Sequence, residues 1–141
     1  MYRVILDTNI LISGLIWRGI PGKAIDAATA YRFRLLLSDS LLQELQITLH
    51  RPKFAKTIAA SGQRVDDLIG KLIQASIFVQ PAEVPDDVVR DPKDRHVLAC
   101  AVGGSADCIV SGDADLLTLG SYAQIPIWTV AYFMEQLDTE D

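Results

Sequence analysis

Residues 4–9 read Val4-Ile5-Leu6-Asp7-Thr8-Asn9, a run of buried-type apolar side chains that ends on an acid and two small polar residues. A parallel strand in an α/β sheet delivers its last residues to the crevice where such folds bind ligands. The stretch therefore predicts a first strand over residues 4–6 with chemistry at its carboxyl end. Outward from it, residues 10–16 read as a short helical or looped exit, and Trp17-Arg18-Gly19-Ile20-Pro21-Gly22 as a loop. Ala24, Ile25, Ala28 and Tyr31 recur at helical spacing before a second strand at 33–37. Ser40-Leu41-Leu42-Gln43 has the form of a capping box ahead of a Leu41, Leu45, Leu49 stripe, with Glu44 in the first turns.

Helices are predicted over 52–60 and 65–76, and a short strand over 77–79. The polar stretch 80–93 is the longest connection. Asp91 can cap a helix that begins at Pro92 or Lys93 and runs to 102, where Gly103-Gly104 stops it. A strand at 108–110 leaves through Ser111-Gly112-Asp113-Ala114-Asp115. A short helical piece from Leu116, a strand at 125–128 and a closing helix at 131–137 complete the chain. Strands alternating with helices of this length imply a mostly parallel sheet covered on both faces.

The chain has 141 residues, half of them hydrophobic, which fits one domain over residues 1–141 with a core that needs no staples. No apolar run is long enough to span a bilayer, and Asp7 interrupts the start too early for a secretory signal. Cys100 and Cys108 match no metal-ligand spacing and read as buried thiols of a reducing cytoplasm. The net charge is −5, yet all thirteen Lys and Arg residues fall in 1–95 against eleven acids there. Residues 96–141 hold seven acids and no Lys or Arg. A locally basic strip can thus meet a polyanion on a chain that is acidic overall.

Four acids stand where this fold gathers ligands: Asp7 after the first strand, Glu44 early on its helix, Asp94 at a helix start, and Asp113 past the 108–110 strand. Each has an ordinary reading as a cap, a turn residue or a solvated charge. Brought together, they form a cluster of hard oxygen ligands suited to Mg²⁺ or Mn²⁺, and a divalent metal beside solvent suits a phosphate ester. Arg18, Arg51, Lys53 and Lys56 are candidates to receive flanking phosphates, and Trp17 to stack on a base or make an oligomer contact. Trp17, Tyr31 and Phe33 are more aromatic surface than a small sheet edge buries, which points to a homodimer.

Asp7-Thr8-Asn9, Glu44, Asp94 ahead of Leu98-Ala99-Cys100-Ala101, and Ser111-Gly112-Asp113-Ala114-Asp115-Leu116 together resemble a PIN domain. The resemblance is to the branch of toxins from toxin–antitoxin pairs, and it spans residues 2 to about 130. It implies a three-layer α/β/α sandwich and a Mg²⁺- or Mn²⁺-dependent ribonuclease acting on single-stranded RNA. In that family an antitoxin protein is a partner and dimers are common. Asp7, Glu44, Asp94 and Asp113 match the acidic quartet, with Asp7, Asp94 and Asp113 as metal ligands. Asp115 matches an accessory acid, and Thr8, Asn9 and Ser111 match the small polar residues around it. Asp91 is the alternative to Asp94.

Two other classes compete. A phosphatase using a strand-end aspartate as nucleophile, of the haloacid-dehalogenase type, wants a second acid two residues later, where this chain has Asn9. A non-catalytic module would use the acids for a structural ion or a protein contact.

Overall fold

Val4 and Leu6 pack into one apolar cluster and Ile5 into another, and all three are buried, as a strand covered on both faces requires. In the computed structural model, which describes residues 1–140, the order is β1 (Arg3–Leu6), α1 (Thr8–Ile16), α2 (Gly19–Thr29), β2 (Arg34–Leu37), α3 (Asp39–Leu49), α4 (Pro52–Ala60), α5 (Val65–Ala75), β3 (Ser76–Phe78), α6 (Pro92–Gly103), β4 (Cys108–Val110), α7 (Ala114–Leu119), β5 (Ser121–Tyr122), β6 (Ile125–Trp128) and α8 (Val130–Thr139). None of these helices is long and apolar enough to cross a membrane.

The sheet order is β3-β2-β1-β4-β6-β5, parallel throughout except for the β5–β6 pair. The chain winds outward from β1 through β2 and β3, then returns to β4 on the other side of β1. This reversal leaves a crevice between the carboxyl ends of β1 and β4, the usual ligand position in an open α/β sheet. One apolar layer joins Val4, Leu6 and Leu35 to Leu11, Ile25, Leu72 and Phe133. The other joins Ile5, Leu36 and Ile109 to Leu98, Ala101 and Leu116. The result is the expected α/β sandwich, with its sheet between two helical layers.

Several local expectations are corrected. Only Trp17 and Arg18 of residues 17–22 form a connection: α2 already begins at Gly19, and Pro21 is tolerated in its first turn because it forfeits an N–H that has no helical partner there. Ser38, not Ser40, caps α3, accepting from Leu41 N at 3.3 Å, so Ser40 lies inside the helix. The strand β5 has no forecast counterpart. It turns into β6 through Ala123 and Gln124, whose φ values of 50° and 67° fit the tight turn of a two-residue hairpin. Phe33 contributes nothing to the surface: it is buried edge-on against Phe133, with ring centroids 5.0 Å apart. The long connection before α6 is held against it by Ala82 N–H donating to Ala99 O at 2.9 Å. A Cβ at Gly103 would lie 1.9 Å from Gln80 O, so this approach requires glycine.

Candidate metal centre

Helix capping sets the orientation of the acids before any ligand is considered. Asp7 ends β1 and caps α1, its Oδ1 accepting from Ile10 N at 2.9 Å. Asp113 follows β4 and caps α7, its Oδ1 accepting from Leu116 N at 3.0 Å. Asp91 caps α6 through Lys93 N at 2.9 Å, which sets Asp94 in the first turn of that helix. A cap holds a carboxylate in one rotamer at the helix's positive end, so the acids are fixed where like charges meet.

Ser111 links two of them. Its hydroxyl donates to Asp7 Oδ2 and accepts from Asp113 N at 2.9 Å. Burial raises the Asp7 pKa; the bonds from Ser111 and Ile10 oppose that rise, and the nearby Asp113 adds to it. Asp94 is only 7 % exposed, and its Oδ2 has no hydrogen-bond partner among the described residues. Burial first, then the charges of Asp113, Asp91, Asp7 and Asp115, push its pKa up to about 7.

Among the described residues, Asp94, Asp113 and Asp115 each offer a carboxylate oxygen within 4.8 Å of the others. The family resemblance implies Asp7 as the third ligand and Asp115 as an accessory acid. Asp115 is exposed and pairs with Arg90 at 3.4 Å, while both Asp7 oxygens already accept hydrogen bonds. Asp7, Asn9, Glu44, Asp94 and Asp113 line one depression of about 150 Å³. Glu44 sits at its side, its Oε2 accepting from Thr8 Oγ1 at 3.2 Å and its Oε1 lying 3.7 Å from Lys93 Nζ.

The donor set suits a hard divalent cation: all oxygen, several negative charges, one buried oxygen lacking a partner. Of the basic candidates, Arg51 lines the acidic depression and Lys53 and Lys56 do not. Lys53 lies over the Phe54 ring, 5.0 Å from its centroid. Arg18 is paired with Asp26 at 2.6 Å and lines a larger cavity of about 470 Å³ that shares no residue with the acids. That cavity is the larger, but the carboxylates converge in the smaller one. Trp17 is exposed and lines neither. Lys93 and Arg90 went unread in the sequence. Lys93 stands between the cap Asp91 and Asp94, where a cation among acids was a usable signal.

A family profile for the PIN domain matches residues 3–115. The crystal structure of PAE2754 from Pyrobaculum aerophilum superposes with a TM-score of 0.59, at 16 % identity, over 98 % of this chain and 90 % of that one. That likeness is one of fold. No curated protein matches the chain significantly.

Proposed function

Because the chain belongs to the PIN-domain family, we propose that it is a Mg²⁺- or Mn²⁺-dependent endoribonuclease that cleaves single-stranded RNA and acts as the toxin of a toxin–antitoxin pair. The observation that carries the metal-dependent part is the partnerless, buried Asp94 Oδ2 beside Asp113 and Asp115. Asp94, Asp113 and Asp115 hold the ion, and Asp7 adds the fourth charge of the same depression. A bound divalent ion supplies charge to offset the phosphate and a water of lowered pKa. Ser111 keeps Asp7 oriented, and Thr8 and Lys93 hold Glu44 where it can position the attacking water. Arg51 and Lys93 receive phosphates on either side of the cleaved bond.

Exposed Trp17 and Tyr31 form the contact of a homodimer, and an antitoxin protein is the second partner. Buried free Cys100 and Cys108 suit a reducing cytoplasm. The deciding experiment incubates purified protein with unstructured RNA, the matching DNA and a phosphate monoester, in Mn²⁺, in Mg²⁺ and in chelator. Metal-dependent RNA cleavage supports the reading. Monoester turnover without strand cleavage would transfer the protein to the phosphatase class.

A further inference from the structure

Beside the acids lies a second depression of about 280 Å³ that shares Glu44, Thr48, Arg51 and Lys93 with the acidic one and adds Ile47, Pro92 and His96. It runs between α3 and α6, and a third hollow of about 230 Å³ extends it past His96 to Arg95. The character changes along this line. First come carboxylates, then two exposed cations, then an apolar floor with an imidazole. Ile47 is 62 % exposed although it stands on a helix that buries Leu41, Leu45 and Leu49. Arg51 has no ion-pair partner among the described residues, and Lys93 reaches only as far as Glu44, at 3.7 Å.

A nucleotide strand can meet this order, with one phosphate at the metal, the next at the cations, and the flat base that branches from the ribose between them laid on the apolar floor. At about 280 Å³ the hollow falls just below the range of roughly 300–1,000 Å³ typical of small-molecule sites, which suits one base better than a larger ligand. We propose that this depression binds the nucleobase next to the scissile phosphate, with His96 and Ile47 as the side chains that contact the base. The proposal rests on the nuclease reading above. Base contacts of this kind tolerate many sequences but reward a base over its absence, because every base has a π-face.

The test uses an unstructured oligoribonucleotide whose cleavage position has been mapped, and a set of copies each carrying one abasic ribose near that position. Wild type, His96→Ala and Ile47→Asp are compared in Mn²⁺. Both positions are exposed, so each variant should keep the wild-type melting temperature and its shift with Mn²⁺. For wild type, one abasic position should lower kcat/KM roughly five- to 150-fold. Each variant should lose a comparable factor on intact RNA and little more on that abasic copy. Equal abasic penalties in wild type and variants, or no sensitive position at all, would remove the subsite and leave the nuclease intact. Absence of cleavage of any RNA would overturn both the nuclease reading and this inference.

Discussion

The Ser111 hydroxyl donates to Asp7 Oδ2 and so joins the carboxyl ends of β4 and β1, residues 104 apart in sequence. The Ser111 oxygen in turn accepts from Asp113 N. Ser111→Ala leaves a buried acceptor and a backbone donor without this partner, at a cost of about 1–3 kcal/mol. Thermal melting should fall by several degrees and Mn²⁺-dependent cleavage should drop with it. An unchanged melting temperature would show that the link adds nothing.

Asp94 makes apo stability depend on pH. Its folded pKa of about 7 lies above the unfolded value, so the folded state binds more protons between the two. The associated stability is complete below an unfolded pKa of ~3.9 and is lost as pH rises through about 7. Burial of Asp7 acts in the same direction. In chelator, urea unfolding at pH 5 and pH 8 should differ by about 2–3 kcal/mol from Asp94. Asp94→Asn should flatten that difference and be the more stable protein at pH 8. A wild-type profile flat over this interval contradicts the assignment.

Glu44 is held by Thr8 and Lys93 and stands outside the group of three close carboxylates. Glu44→Gln should reduce kcat by a factor of about 10²–10⁴, in the range of a lost general acid–base group, while Mn²⁺ affinity changes little. Loss of Mn²⁺ binding in this variant would make Glu44 a ligand instead.

Trp17 and Tyr31 remain on the surface, whereas Phe33 has left the argument for a dimer. Sedimentation should show a dimer at micromolar concentration, and Trp17→Ser should weaken it. Monomer across that range would count against the proposed contact.

The layers of this fold were legible because apolar strands such as Val4-Ile5-Leu6 and Cys108-Ile109-Val110 have no other stable setting than a sheet covered on both faces. That Asp7, Asp94 and Asp113 share one depression was legible for a related reason, since acids at strand ends and helix starts face one sheet edge. What the chain concealed was local. Ser38 and Ser40 are equally good caps on paper, and packing of Leu41 chooses between them. The separation of Arg18 from the acids and the approach of Lys93 to Glu44 depend on how α2 and α6 dock, which no spacing within one helix reveals. Asp115 reads as accessory because the turn Asp113-Ala114-Asp115 can aim either acid at Asp94, and in the fold each offers a carboxylate oxygen within 4.8 Å of one of Asp94.

The central claim is that Asp94, Asp113 and Asp115 form a divalent-metal site, and calorimetric titration of the chelator-stripped protein with Mn²⁺ tests it most directly. Wild type should bind Mn²⁺ and melt at higher temperature with it, since a ligand selective for the folded state stabilises that state. Asp94→Asn and Asp113→Asn should remain folded, bind Mn²⁺ at least tenfold more weakly and lose most of the melting shift. Equal Mn²⁺ affinity in wild type and both variants would contradict the account.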